Sequence, residues 1–299
     1  MKKTVIIGAN SYIARSLIET MRQERHPDPA LYDLAPEQCG GGADYRQLDI
    51  LDPASFDEID LRADHIYLFS GKTGTSAGFD EYESFIRVNE TGLLNLLTAY
   101  RKQGSKAKII FPSTRLVYRG GEEPLGEDAE KEFRTVYAMN KYACERYLAM
   151  YQNMFGVNYL VFRICVPYGN AAGGASYGTV GSFLNCAANG RDIPVYGTGE
   201  QRRTFTHIAD LCRIMIAGAE DGRCMNGAFN VGGETLSIYG AAKKIADKYG
   251  VSVKSVPWRE EDLRLESGST VFDSGKLDGI LGCGYAHGFD SWLNSLDLS

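Results

Sequence analysis

Short runs of β-forming apolar residues alternate with long helical stretches through the first half of the chain, and this alternation restricts the fold more than any other feature. The runs are Thr4 to Ile7, Leu31 to Asp33, His65 to Phe69, Lys108 to Phe111 and Asn158 to Ile164. Between them, Tyr12 to Arg25, Phe85 to Lys102 and Phe133 to Phe155 have the length and patterning of covering helices. Such βαβ units build a parallel sheet with helices on both faces. The expected fold is therefore α/β and doubly wound.

After Ile164 the texture changes. Pro167, Gly169, Gly173, Gly174 and Gly178 make a glycine-rich stretch, and shorter elements follow at Ile193 to Tyr196, Ala228 to Val231 and Ile238 to Tyr249. A smaller second α/β lobe is expected there. Residues 1–166 then form the first domain and 167–299 mainly the second, with about 205–230 returning to the first.

The 32 basic and 38 acidic residues leave a net charge of −6 without a basic run, which argues against nucleic acid or an anionic membrane as partner. No apolar run approaches the roughly 18 residues of a membrane span. Lys2 and Lys3 lead straight into Thr4-Val5-Ile6-Ile7-Gly8 with no signal-peptide core, so a cytoplasmic protein is expected. Seven cysteines (Cys39, Cys144, Cys165, Cys186, Cys212, Cys224, Cys283) are scattered without a C-x-x-C pair and read as reduced thiols rather than a metal site. The sequon Asn89-Glu90-Thr91 would go unused in such a compartment.

Val5-Ile6-Ile7 runs into Gly8-Ala9-Asn10-Ser11-Tyr12-Ile13-Ala14 and then a helix, the setting in which helix N-terminal amides hold a dinucleotide pyrophosphate. Ser11 and Ala14 stand where a full G-x-x-G-x-x-G has glycine. Ala14 suits close helix packing, whereas the Ser11 Cβ stands where backbone should approach phosphate. An ordinary βα turn is the competing reading. Asp33 ends the second strand 19 residues after Ala14, near the spacing of a carboxylate that holds the adenosine ribose. Its charge would repel a 2′-phosphate, so NAD is favoured over NADP; a loop aspartate or helix cap is the alternative. Gly71-Lys72-Thr73 is no P-loop, because the required upstream glycine falls at Ile66.

Tyr137 and Lys141 are four residues apart on one predicted helix, so they share a face. An ammonium beside a phenol is expected to lower its pKa toward neutrality and make it a proton carrier. Tyr239 and Lys243 repeat the spacing, but only Tyr137 follows a strand ending in hydroxyls, Pro112-Ser113-Thr114. Tyr239 is read as packing.

These residues resemble the extended short-chain dehydrogenase/reductases that act on nucleotide sugars, of the UDP-glucose 4-epimerase kind. The resemblance covers nearly the whole chain and implies a Rossmann-like cofactor domain with a smaller C-terminal substrate lobe. It implies Thr114, Tyr137 and Lys141 as catalytic residues. Gly8, Ser11, Tyr12, Ile13, Asp33, Asp49, Ile50, Ser70 and Asn89 become NAD contacts. Thr114, Tyr168, in the crossing Arg163 to Gly169, and Arg203, in Val195 to Phe205, become substrate contacts, with Arg203 on the diphosphate and Arg264 a second candidate. A solvated Arg202-Arg203 surface pair is the alternative for Arg203. His207 falls where the family has a structural residue. Pairing through Phe85 to Lys102 and the Tyr137 helix implies a homodimer.

Sugar 4,6-dehydratases of this family carry Asp-Glu after the catalytic Thr, whereas this chain has Arg115-Leu116, neither able to do that proton work. What remains is reversible oxidation at a sugar carbon, expected at C4, giving epimerisation through a 4-keto intermediate. The alternatives are an NAD(P)H-dependent 4-keto-sugar reductase and a catalytically silent NAD-sensing protein on the same fold. Thr204 and Val166 replace an Asp and an Asn common in the family, which bears on the identity of the substrate.

Overall fold

The computed structural model describes residues 2–39, 44–170, 176–282 and 284–297. Gly173, Gly174 and Cys283 lie outside the described residues. The first half contributes β1 (Thr4–Ile7), β2 (Ala30–Asp33), β3 (Tyr45–Gln47), β4 (His65–Leu68), β5 (Lys108–Thr114) and β6 (Tyr159–Ile164). Then come β7 (Val166–Tyr168), β8 (Ile193–Tyr196), β9 (Arg202–His207), β10 (Gly227–Asn230), β11 (Glu234–Ser237) and β12 (Val253–Val256).

Seven strands form one parallel sheet in the order β10-β6-β5-β4-β1-β2-β3. Every residue of β4 and β5 is buried, as strands covered on both faces must be. Along β1 the two-residue period sends Ile6 to one face and Val5 and Ile7 to the other. Helices Tyr12–Gln23 and Ile208–Glu220 cover the first face; Gly92–Lys102 and Val136–Phe155 cover the second. Ala14, fully buried, sits where the first two of these helices pack together. The strand order reverses between β1 and β4, the place where open α/β sheets bind ligands beyond their C-terminal strand ends.

The second lobe holds a three-stranded sheet, β11-β9-β7, and the parallel pair β12-β8. Its core gathers Tyr168, Phe183, Phe205, Phe289 and Trp292. The chain re-enters the large sheet through β10, which pairs parallel with β6.

Three helical expectations change in detail. The first helix stops at Gln23, and Arg25 takes a left-handed φ of 61°. The second is broken: Arg87–Thr91 forms a π turn before the α-helix Gly92–Lys102 resumes. The third begins at Val136, because Thr135 caps it by accepting the Ala138 N–H at 3.0 Å. No helix among the described residues is long and apolar enough to cross a membrane, and none of their His, Cys, Asp and Glu side chains group into a metal site.

Candidate active site

Gly8 leaves β1 with φ 89°, and a Cβ there would stand 2.3 Å from the Ser70 nitrogen. Only glycine lets the ends of β1 and β4 approach so closely. Ser11 has ordinary extended angles and caps the following helix, its Oγ accepting the Ala14 N–H at 3.4 Å. The amides of Tyr12 and Ile13 belong to the first turn, which a helix cannot satisfy internally. The Tyr12 phenol crosses to the second lobe and donates to the Gly169 carbonyl at 2.6 Å. Asp33, at the end of β2, accepts the N–H of Asn10 at 2.9 Å and of Ala35 at 3.2 Å, which fixes its carboxylate beside the turn.

Asp49 is exposed and accepts the Leu51 N–H at 2.8 Å. Ile50 is buried against Gly92, where any Cβ would fall 2.5 Å from its Cδ1. Ser70 follows β4 and donates its N–H to Ile7 at 3.1 Å. The π turn rotates Asn89 into the site, where its amide grips the backbone of Lys72 and its own carbonyl accepts the Cys144 thiol at 3.2 Å. Asn89 is only 5% exposed, so the sequon is sterically closed. The Lys72 ammonium pairs with Glu81 and donates to Ser84, outside any phosphate loop.

Thr114 ends β5, with its Oγ1 accepting the Leu116 N–H at 3.2 Å. Lys141 is buried one turn beyond Tyr137, and its Nζ donates to the Pro112 carbonyl at 2.8 Å. The same ammonium lies 4.3 Å from the Phe111 ring centroid and 6.0 Å from that of Tyr137. One helix face thus carries Tyr137 and Lys141, and the Pro112 bond ties Lys141 to the strand that ends in Thr114. The expected acidic phenol is corrected, however. Burial pushes the Tyr137 pKa well above its ordinary value, Tyr177 adding to the effect. Burial likewise draws Lys141 down to about 8. Desolvation outweighs the neighbouring ammonium, which hydrogen-bonds the strand instead.

Other expected contacts fall elsewhere. Tyr168 is wholly buried, its hydroxyl donating to the His287 carbonyl at 3.0 Å and its ring packed on Phe289 and Trp292, so its side chain is core rather than a substrate contact. Arg203 is neither solvated nor free. At 1% exposure it pairs with Glu266 at 2.5 Å and donates to the carbonyls of Gly268 and Arg202. Arg264 is exposed and pairs with Glu260 across one helical turn, directed to solvent rather than to the site. His207 caps a helix by accepting the Ala209 N–H, stacks on His287, and is pushed to about 4 by burial and that neighbour. Thr204 accepts the Phe272 N–H at 2.8 Å. Tyr239 is an exposed residue whose neighbour Lys243 pairs with Asp247.

Two side chains near the site carry no local sequence signal. Tyr177 stacks on Tyr12 at 5.8 Å and hydrogen-bonds Thr73 across the cleft at 2.9 Å. Glu266 reaches Arg203 from a loop 63 residues away.

The chain and its fold have known counterparts. Residues 4–232 match the model of the NAD dependent epimerase/dehydratase family. The chain belongs to that family. It is 28% identical over 246 residues to a UDP-N-acetyl-alpha-D-glucosaminuronate decarboxylase of Bacillus cytotoxicus, covering 78% of this chain and 75% of that one. It is 29% identical over 232 residues to a CDP-paratose 2-epimerase of Salmonella typhi, covering 68% of each. Its fold superposes on a UDP-glucose 4-epimerase of Thermotoga maritima with a TM-score of 0.85 at 21% identity, covering 97% and 96%. The residues present fit the family's NAD: a turn with no room for a Cβ, first-turn amides and a fixed carboxylate at the end of β2.

Proposed function

We propose that the protein is an NAD-dependent nucleotide-sugar epimerase that inverts C4 of a hexose through a transient 4-keto intermediate. The observation that supports this reading is Lys141, 6.0 Å from the Tyr137 ring centroid and tied to Pro112 on the strand that ends in Thr114. Gly8, the Tyr12 and Ile13 amides, Asp33 and Asn89 would hold the dinucleotide, with Ser11, Asp49, Ile50 and Ser70 around it. When bound, NAD supplies a reversible hydride acceptor.

The chain's own residues handle the proton and the oxygen. Tyr137 acts in its phenolate form, taking the proton of the sugar hydroxyl as hydride leaves C4, and Thr114 hydrogen-bonds the same oxygen. The buried Lys141 ammonium stabilises the phenolate that accepts this proton, and the transfer leaves a neutral phenol. After the keto sugar turns over, C4 takes hydride back on its other face and the proton returns from Tyr137 to the oxygen, so the sequence is redox-neutral. Arg115 and Leu116 offer neither acid nor base for dehydration.

Each carbon–hydrogen bond broken at C4 is remade on the opposite face, so a panel of UDP-, dTDP-, GDP- and CDP-hexoses with a 4-epimer readout tests the reaction. Epimer formation that falls about 1000-fold in Tyr137→Phe supports it. Stoichiometric NAD(P)H oxidation by 4-keto sugars would favour a reductase. Retained NAD with silence across the panel would favour a sensor.

A homodimer accompanies this reading. Met139, Met150, Met154 and Phe155 expose apolar surface along the Tyr137 helix, and Ile86 does so beside the π turn. Light scattering should give twice the chain mass, and Met154→Asp should reduce it.

A further inference from the structure

We infer that Arg115 holds an anionic group of the substrate, a carboxylate or a phosphate, next to Thr114. This rests on the nucleotide-sugar reading above and adds a binding residue to it.

Among the guanidiniums near the end of β5, Arg115 stands apart in lacking a carboxylate partner among the described residues. Three guanidiniums gather near one loop: Arg134 pairs with Glu132 at 2.9 Å, and Arg203 pairs with Glu266 at 2.5 Å. Arg134 also donates to the Glu266 carbonyl, so Glu266 already serves both arginines. Arg115 has no ion-pair partner among the described residues. Among the described residues its side chain makes one hydrogen bond, from Nη1 to the Thr270 hydroxyl, long at 3.4 Å.

The surroundings make this deficit costly. Arg115 is half-buried and Thr270 wholly so, and the paired Arg203 opposes Thr270 through a β-bridge. Burial and the like charge of Arg203 draw Arg115 down to about 10, a loss that Cys165 and Glu266 only partly offset. A cation kept in such surroundings without a counterion is the usual mark of a group that meets its partner in a ligand.

Placement and shape identify that partner. Arg115 directly follows Thr114, at the C-terminal edge where the sheet presents ligands. A guanidinium presents parallel N–H donors that match a carboxylate or phosphate in bidentate fashion. Two anions are within the substrate class: an acid on the sugar, or the diphosphate that joins sugar to base. Because Arg203 is already committed to Glu266, an added anion finds its uncompensated charge at Arg115.

Calorimetric titration of the NAD-loaded protein tests this with three ligands sharing whichever base the parent binds: the nucleotide hexose, the nucleotide hexuronate and the nucleoside diphosphate alone. Arg115→Gln should weaken binding about tenfold or more, since a hydrogen-bonded charge is lost. A loss confined to the hexuronate assigns the sugar acid, and an equal loss on all three assigns the diphosphate. Arg115→Lys keeps the charge but not the fork, and should weaken the same ligands several-fold if the glutamine variant does not fold. Affinities within twofold of the parent for all three ligands, in whichever variant folds, overturn the inference. A parent that binds NAD but none of the ligands on any base overturns the nucleotide-sugar reading itself.

Discussion

Asn89 clamps Lys72 through both backbone groups of that one residue: its Oδ1 accepts the Lys72 N–H at 2.8 Å, and its Nδ2 donates to the Lys72 carbonyl at 3.1 Å. The π turn aims the amide, and the clamp fixes the loop after β4 where it passes Gly71. An aspartate could keep the first bond but would turn a carboxylate oxygen toward the Lys72 carbonyl. Asn89→Asp should therefore lose about 1–3 kcal/mol and retain less NAD. Urea unfolding and assay of nucleotide released on denaturation check both effects.

Gly8 is predicted to tolerate no side chain. Gly8→Ala combines a strained left-handed φ with a Cβ 2.3 Å from the Ser70 nitrogen. A loss above about 2 kcal/mol is expected, because the clash is with backbone. A melting temperature within a degree of the parent's would contradict the geometry.

Lys141 ties activity to a pH-dependent penalty. Its folded pKa of about 8 lies below the unfolded value of about 10.4. The unfolded chain binds that proton more tightly, which costs the folded state about 3 kcal/mol at pH 7. The penalty shrinks as pH rises from about 8 and vanishes above about 10.4. Lys141→Met should abolish turnover and remove that pH dependence. The stability difference, parent minus variant, should rise between pH 7 and 10, as urea midpoints at both would show.

Glu145 and Arg163 form a two-pronged ion pair at 2.6 and 3.1 Å between the Tyr137 helix and β6, each 5% exposed. Ser113 donates to the same carboxylate, and Tyr118 accepts from Arg163 at 2.7 Å. Glu145→Leu alone strands a buried cation and should cost about 3–5 kcal/mol. Glu145→Leu with Arg163→Met should recover most of that loss. A double variant no more stable than the single one would argue against the pair as the cause.

Why some of this was legible in sequence follows from where each signal resides. Strands β1, β2, β4, β5 and β6 are covered on both faces, so burial writes itself as apolar runs. β9 is largely buried too, yet reads Arg-Arg-Thr-Phe-Thr-His, because its polar side chains are met by partners distant in sequence, Arg203 by Glu266 and Thr204 by the Phe272 N–H. The break at Arg87–Thr91 is likewise hidden, since apolar periodicity continues through a single π turn. The spacing of Tyr137 and Lys141 was visible, whereas the direction of the phenol's shift depends on desolvation, which only packing reveals. Arg203 announced a charge but not its owner: Glu266 arrives from another loop, and nothing near either residue encodes the meeting. Tyr168 shows the reverse failure, a motif aromatic spent on the core.

The return of β10 to the β6 edge has a consequence for biosynthesis. A nascent chain that has emerged only as far as Ile164 carries a sheet with one rim bare, and β6 stays unpaired on that side until Asn230 has been made. The segment that builds β7, β8 and β9 must therefore be threaded out before the seven-stranded sheet is complete.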